Sequence, residues 1–183
     1  MAMGKIVDSY ERARDYCLRL LAIRPRSRRE LLQRMRQRGY SKRTAQSVLE
    51  RLDELGLVND AELANAIVRS ALERRPRGRF ALAAEMRRLG LTEECIRRAL
   101  DALDTDTEVK LAVRLLRGWL ARWQGELSHR LNVTNDSDED AQQKAKLWRR
   151  AFMGLSQRGF SANVIHEAFR QIGWKGGDDV EGN

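Results

Sequence analysis

Residues 27–56, SRRELLQRMRQRGYSKRTAQSVLERLDELG, decide the fold. This stretch predicts two helices joined by a tight turn at Gly39, because glycine adopts the left-handed conformation that ends a helix without steric cost. Met35 and Tyr40 lie at the positions that form the apolar contact of a Schellman ending. Ser41 follows, where a hydroxyl can cap the second helix. We interpret the stretch as a helix–turn–helix unit.

The turn around Gly39 recurs at Gly90 and at Gly159. A shift of 51 positions superimposes the first two copies without a gap, and it aligns Arg24-Pro25 with Arg75-Pro76, Met35 with Met86, and Ser41 with Thr92. Internal repeats of this length are typical of arrays of helical modules. We therefore predict an all-α fold of three tandem three-helix repeats, each a helix–turn–helix-like module, that form an elongated, curved array.

The helical pattern also predicts where each repeat begins and ends. The first repeat covers residues 8–58 and the second covers 59–104. The third covers 105–173 and begins with a capping box formed by Thr105 and Glu108. A polar and acidic segment at about 125–143 interrupts it, and we interpret this segment as an exposed loop inserted between its first two helices. We expect residues 174–183 to be a disordered tail.

The composition favours a cytoplasmic protein with a polyanionic partner. The chain has 35 Lys and Arg against 26 Asp and Glu, a net charge of +9. Such a charge fits a well-solvated surface, but its clustering favours nucleic acid or a nucleoprotein as partner. No segment resembles a signal peptide or a transmembrane helix. Cys17 and Cys95 lack disulfide or metal-ligand spacing, so we expect small core residues in a reducing compartment.

Few residues offer catalytic chemistry. No glycine-rich phosphate loop, nucleophile elbow or zinc-spaced set of cysteines is present. His129 and His166 each stand without a second ligand at useful spacing. We therefore expect no catalytic residues, no metal and no cofactor. Most aromatic residues fall on apolar helix stripes and are interpreted as core, and only Phe80, beside Arg79, is a candidate for base stacking.

Arginines crowd two regions, at about 24–43 and 69–88. Some of them can be solvated helix faces or cations near helix C-termini. The loop around Pro76 and Gly78 gives its arginines less structural reason to be there, so we expect this loop to contact a partner. The predicted partner-binding residues are Arg26, Arg28, Arg29, Arg36, Lys42, Arg43, Arg74, Arg75, Arg77, Arg79, Arg87, Arg88, Arg149 and Arg150.

Several short motifs occur in an order and spacing typical of one family. They are PRSRREL from Pro25, RGYS from Arg38, LDELGLVND from Leu52, VRS from Val68 and RGFS from Arg158. The chain from about residue 10 to residue 172 thereby resembles the RecX family of regulators of the RecA recombinase. The resemblance implies a non-catalytic protein that binds the RecA–DNA filament and inhibits the recombinase, ATPase and coprotease activities of RecA in recombination and the SOS response. From the residues themselves we expect a cytoplasmic monomer. Its basic faces would contact single- or double-stranded DNA in the filament or acidic patches on the recombinase.

Two other functions fit the residues. The helix pairs and the charge of +9 also suit a basic helix-turn-helix DNA-binding protein or transcriptional regulator. A helical-repeat scaffold for a protein or peptide partner is the third interpretation.

Overall fold

The computed structural model describes residues 9–131 and 137–174, with side chains for residues 9–123 and 142–174. Over these residues the chain forms helices and no strands. The helices are α1 (Tyr10–Ile23), α2 (Arg28–Gln37), α3 (Lys42–Glu54), α4 (Asp60–Glu73), α5 (Arg79–Leu89), α6 (Glu93–Leu100), α7 (Thr105–Leu131), α8 (Ser137–Gln157) and α9 (Ala162–Gln171). The predicted all-α class, in three sets of three helices, is confirmed.

Met1–Val68 and Ala84–Ala99 form the first of two compact units. Its core lies where α2 and α3 pack against α1. Leu31 and Met35 are fully buried there, and each such side chain stabilises the fold by about 1.5–3 kcal/mol. Cys17 is fully buried in the same core, as expected, and burial raises the pKa of its thiol to about 11.

Arg69–Ala83 and Leu100–Asn183 form the second compact unit. Helix α9 packs mainly against α7, and also against α8. Each of these helices buries a large apolar side chain, Leu116 in α7, Leu155 in α8 and Ile165 in α9.

The repeated glycine turns have the predicted Schellman geometry. Gly39, Gly90 and Gly159 have φ of +86°, +83° and +80°. After each glycine, the next backbone N–H donates to a carbonyl five residues earlier, as from Tyr40 to Met35 at 3.2 Å. The following hydroxyls also cap as predicted, since Ser41 accepts from the backbone of Thr44, Thr92 from Cys95 and Ser161 from Val164.

In the first unit, the start of α2 is seated on the turn between α5 and α6. The Ser27 hydroxyl donates to the carbonyl of Leu89, and the backbone N–H of Arg28 donates to the Asp60 carboxylate at 2.9 Å. The aliphatic part of Arg29 crosses Gly90 so closely that a Cβ there would lie 2.3 Å from Arg29 Cδ.

In the second unit, the start of α5 is seated on the turn between α8 and α9 in the same way. The Gly78 N–H donates to the carbonyl of Arg158 at 2.9 Å, and the Phe80 N–H donates to that of Gly159 at 3.2 Å. The backbone N–H of Arg79 donates to Glu108 at 2.8 Å. The 51-residue shift aligns residues 78–80 with residues 27–29, so the same positions of the repeat make both contacts. We call this packing of a helix start on a glycine turn the seating contact.

The structure corrects two predictions in the third set of helices. The segment 125–143 was predicted as a loop, but 125–131 belong to α7 and 137–143 to α8. Glu, Leu, Arg, Ala and Gln are good helix formers, so a polar composition did not indicate a loop there. The predicted capping box of Thr105 and Glu108 is also wrong. Asp104 caps α7 instead, because its side chain accepts the Thr107 N–H at 2.7 Å. Residues 132–136 and 175–183 lie outside the described residues.

Replacing Gly159 by alanine tests the seating contact. The new Cβ would lie 2.2 Å from the backbone nitrogen of Ala81, and the φ of +80° is unfavourable for alanine as well. We expect Gly159→Ala to lower the free energy of unfolding by at least about 3 kcal/mol, since strain and overpacking add. The control is Gly39→Ala, where φ is +86° but nothing lies within 4 Å, with an expected loss of about 1–2 kcal/mol. If urea unfolding showed that the two substitutions lower the free energy of unfolding equally, the close contact at Gly159 would be refuted.

Candidate functional site

The first unit carries an open cleft of about 510 Å³ between α2 and the end of α5. We call it the α2–α5 cleft. Five arginines and one glutamate line it, together with two glutamines and a leucine: Arg24, Arg29, Arg34, Arg87, Arg88, Glu30, Gln33, Gln37 and Leu89. Because the positive charges outnumber the single carboxylate, the cleft attracts phosphates or carboxylates.

Glu30 holds several arginines at the edge of this cleft. Its Oε1 accepts from Arg24 at 2.8 Å and from Arg34 at 3.2 Å, and it also pairs with Arg26. Partial burial acts to raise the pKa of Glu30, but the hydrogen bonds from these arginines outweigh it and hold the pKa below its ordinary value. Glu30 is therefore a charged anchor that positions guanidinium groups.

The other arginines of the cleft are placed by the turn after α5. Arg29 extends across Gly90, so the seating contact fixes the base of its side chain. Arg87 is exposed and forms two hydrogen bonds to Glu93, at 2.7 and 2.9 Å. Arg88 is exposed beside them. Three predicted partner-binding residues, Arg29, Arg87 and Arg88, thus line one cleft. Arg24 and Arg34 line it too, although they were not predicted to bind a partner.

Two predicted partner-binding residues, Arg26 and Arg79, have partners within the fold. Arg26 is 8% exposed, and its Nε donates to the carbonyl of Leu20 at 3.1 Å while its Nη1 pairs with Glu30. Arg79 donates from Nε to Glu108 at 2.7 Å, and Glu108 is 2% exposed. The sequence could not distinguish these residues because their carboxylate and carbonyl partners arrive through tertiary contacts. The prediction that arginines near Gly78 lack a structural role is therefore wrong for Arg79.

The remaining predicted residues lie outside the α2–α5 cleft. Arg28 is half-buried, with its guanidinium 3.7 Å from Asp53, and Arg77 is half-buried too. The exposed ones are Arg36, Lys42, Arg43, Arg74, Arg75, Arg149 and Arg150. Of these, only Arg150 lines a second cleft, in the second unit.

This second cleft, which we call the Trp–Arg cleft, has a volume of about 600 Å³ and lies between α7 and the end of α8. Its lining residues are Trp119, Arg122, Trp123, Arg150, Met153, Gly154, Gln157 and Arg158. The indoles of Trp119 and Trp123 are 6.1 Å apart. Arg158 lies 4.9 Å from the ring centroid of Trp119, and Arg150 lies 5.1 Å from that of Trp123.

This cleft was not predicted, because the apolar stripe of α7 indicated that both tryptophans belong to the core. Trp123 is indeed buried, at 8% exposure, but Trp119 is only half-buried. A pattern could have indicated the cleft: Trp119, Arg122 and Trp123 share one helix face, as do residues 150, 154 and 158 on the next helix. Phe80, the predicted stacking candidate, is 60% exposed and lines neither cleft.

The described side chains form no cluster of three or more histidine, cysteine or acidic residues that could hold a metal ion. His166 packs against the rings of Trp148 and Phe152, at centroid distances of 6.2 and 5.7 Å. Over the same residues, no helix combines the length and hydrophobicity needed to cross a membrane. The two clefts offer guanidinium groups and indole rings, which recognise anions and flat apolar groups.

The described helices define an all-helical protein built from three-helix modules. The model of the first RecX three-helix domain matches residues 13–52, and that of the second matches residues 59–100. The regulatory protein RecX of Amycolatopsis mediterranei (strain U-32) is 34% identical over 166 residues, which cover 91% of this chain and 88% of that protein. The RecX of Streptomyces coelicolor is 36% identical over 174 residues, covering 95% and 84%. The chain belongs to the RecX family.

Solved structures share the fold. The crystal structure of RecX from Lactobacillus salivarius superimposes with a TM-score of 0.71 at 18% identity, covering 93% of this chain and 100% of that one. A second crystal structure of a regulatory protein RecX gives a TM-score of 0.66 at 19% identity, covering 91% and 73%. At these identities the likeness supports the fold alone.

Exchanging Arg79 for alanine separates a structural role from a partner-binding one. The change leaves the buried Glu108 carboxylate without its guanidinium, so we expect the free energy of unfolding to fall by about 2 kcal/mol or more. Arg75→Ala, on an exposed residue of the same loop, should change it by less than about 0.5 kcal/mol. Denaturant unfolding of both variants measures the difference. If Arg79→Ala left the free energy of unfolding unchanged, Arg79 would have no structural role and would remain a predicted partner-binding residue.

Exchanging Glu30 for glutamine tests its role as an anchor. A carboxylate whose pKa is lowered by folding stabilises the fold above its unfolded pKa of about 4.3, and this contribution disappears as the pH falls through the folded pKa. We therefore expect Glu30→Gln to be less stable than the parent at pH 7, by a difference in free energy of unfolding that is smaller at pH 3. Urea unfolding at the two pH values makes the comparison. A difference that is equally large at pH 3 would mean that packing, and not charge, is responsible.

Proposed function

We propose that this protein is a cytoplasmic regulator that binds the RecA–DNA filament and inhibits its recombinase, ATPase and coprotease activities. Membership of the RecX family supports a regulatory function, since the relatives carry the name regulatory protein RecX. The family name does not specify the mechanism, so the mechanism is argued from the surfaces of the chain.

The observation that carries the proposal is the α2–α5 cleft. Its five arginines and single glutamate leave an excess of positive charge in a space of about 510 Å³. A recombinase filament on DNA offers phosphates along the nucleic acid and carboxylates on the protein, and both bind guanidinium groups through paired hydrogen bonds. Arg88 supplies an exposed guanidinium for this contact, and Arg29 is oriented by its passage across Gly90.

Separate basic surfaces suit a filament better than a single small ligand. Exposed cations occur in both compact units, with Arg88 in the first and Arg149 in the second. A filament repeats the same binding groups along its length, so each additional contact becomes intramolecular and raises the overall affinity. A regulator bound in this way would exclude an incoming duplex or a cleavable repressor by occupying the same surface.

The direct experiment is strand exchange by the cognate RecA with this protein at stoichiometric amounts, together with DNA-stimulated ATP hydrolysis. We expect both activities to fall as the protein is added. Unchanged strand exchange and ATP hydrolysis would refute the proposal. DNA footprinting without recombinase tests the alternative of a helix-turn-helix regulator, because such a protein gives a discrete, palindromic protected site.

Reversing the charge of Arg88 tests the α2–α5 cleft itself. Arg88→Glu should raise the concentration needed for half-inhibition of strand exchange by about fivefold to tenfold, as for an interface arginine of moderate importance. The matched control is Arg12→Glu, because Arg12 is an exposed arginine of α1 that does not line the cleft. Circular dichroism checks that both variants keep their helicity. Equal effects of the two substitutions would mean that net charge, and not the cleft, determines inhibition.

A further inference from the structure

The turn between α2 and α3, which we call the Gly39 turn (residues 38–41), has the geometry of a seating contact without a seated helix. Its backbone matches that of the other two glycine turns, with φ between +80° and +86° at all three glycines. Gly90 and Gly159 are half-buried under the start of an earlier helix. Gly39 is exposed, and no atom in the described part of the chain lies within 4 Å of the position of a Cβ there. The Gly39 turn is therefore an open copy of a surface that is covered in the other two turns.

The carbonyl group of the Gly39 turn is open as well. Leu89 and Arg158, which precede the other two glycines, each accept a hydrogen bond from a seated helix start. The equivalent carbonyl is that of Arg38, and no group of the described residues donates to it. Carbonyls at the end of a helix and N–H groups at the start of a helix both lack partners within their own helix. Pairing them satisfies both, and the dipoles of the two helices attract each other in this arrangement.

The charge beside the Gly39 turn indicates which kind of helix start fits it. The helix that follows the Gly90 turn begins with Glu93 and Glu94, and the helix start seated on that turn carries two arginines. The 51-residue shift places Lys42 and Arg43 at the equivalent positions of α3, and both are exposed. Because the sign of the charge is reversed, the complementary helix start carries aspartate or glutamate in its first turn. Acidic residues also suit that position in any helix, since they interact favourably with the helix dipole.

We propose that the Gly39 turn is a docking site for the start of an acidic helix on a protein partner. A small residue of that helix donates to the Arg38 carbonyl, as Ser27 and Gly78 donate in the two internal contacts. Its acidic first turn lies beside Lys42 and Arg43. In the proposed function the partner is a recombinase subunit, so the identity of the partner rests on the proposed function.

Nucleic acid is the other polyanion that these cations attract, but it needs the charges alone. A seated helix start also needs the space that the glycine leaves. At Gly90 a Cβ would lie 2.3 Å from Arg29 Cδ, and at Gly159 it would lie 2.2 Å from the backbone nitrogen of Ala81. An uncharged side chain at position 39 therefore blocks a helix start and leaves the attraction of nucleic acid unchanged.

The variant that makes this distinction is Gly39→Asn. Asparagine tolerates the left-handed conformation, and the open surroundings of Gly39 accommodate it in the free protein. The matched control is Gly56→Asn, because Gly56 is also exposed, has φ of +68° and has nothing within 4 Å, but it follows α3 and not α2. Circular dichroism and urea unfolding check that both variants keep the fold.

The experiment adds each variant to the cognate RecA filament and measures the concentration needed for half-inhibition of strand exchange. We expect Gly39→Asn to raise this concentration by about tenfold, as for the loss of a packed contact at the centre of an interface, and Gly56→Asn to change it by less than twofold. Fluorescence anisotropy with labelled DNA, without recombinase, should give equal affinities for the two variants.

A charge variant keeps the test decisive if Gly39→Asn loses helicity. Arg43→Glu places a carboxylate beside the acidic first turn of the partner, and the repulsion should raise the concentration for half-inhibition by at least fivefold. The matched control is Arg19→Glu, at an exposed arginine of α1, with an expected change of less than twofold. Equal effects of these two substitutions would contradict the proposal.

The remaining outcomes separate this docking site from the proposed function. If the parent protein inhibits strand exchange and Gly39→Asn inhibits as well as Gly56→Asn, the docking site is refuted and the proposed function stands. If the parent protein does not inhibit at all, the proposed function is refuted, and the recombinase as partner of the Gly39 turn with it. If Gly39→Asn loses DNA affinity to the same extent as inhibition, the turn binds nucleic acid and not a helix start.

Discussion

The contact on which the structure depends is the seating of a helix start on a glycine turn far along the chain. Ser27 and Gly78 each donate to a carbonyl that ends another helix, at Leu89 and Arg158. At Gly90 and Gly159 the approach leaves no space for a Cβ. One set of three helices is thereby joined to the turn of the next, through the Ser27 hydroxyl in the first unit and through the Gly78 N–H in the second, and in both cases the glycine of the turn has to lack a Cβ. This accounts for the boundaries of the compact units, because the first unit takes Ala84–Ala99, the segment that carries the Gly90 turn.

The same contact divides the arginines into two groups. Arg79 donates its backbone N–H and its guanidinium to the buried Glu108, so its charge is paired within the fold. Arg29 is fixed along its stem, and its charged end is left to the α2–α5 cleft. Residues of one type, one position apart in the repeat, thus have opposite roles. A charge reversal of the whole loop around Pro76 would remove the Arg79–Glu108 ion pair together with the exposed charges of Arg74 and Arg75, so only substitutions at single positions separate a structural effect from a binding effect.

Local rules predicted what is local in this fold. The Schellman turns, the serine and threonine caps and the apolar stripes each depend on residues within one or two helical turns, and they are confirmed by the hydrogen bonds at Gly39, Gly90 and Gly159. The errors concern partners that arrive from elsewhere in the chain. Glu108 looked like a capping residue because nothing in its neighbourhood indicates Arg79. Trp119 looked like a core residue because an apolar stripe does not reveal where the packing of α7 and α8 leaves one side of an indole open. Charge alone likewise did not distinguish the buried Arg26 from the exposed Arg36.

The two clefts hold their arginines in different ways. In the α2–α5 cleft the Glu30 carboxylate pairs with Arg24 and Arg34, whereas in the Trp–Arg cleft Arg150 and Arg158 lie over indole rings. Charge attracts any polyanion over a distance of about a Debye length, about 8 Å at physiological salt. In the proposed function, the α2–α5 cleft would therefore draw the protein to a nucleoprotein filament from a short distance. Because each phosphate contact releases counterions from the nucleic acid, this attraction would weaken as the ionic strength rises.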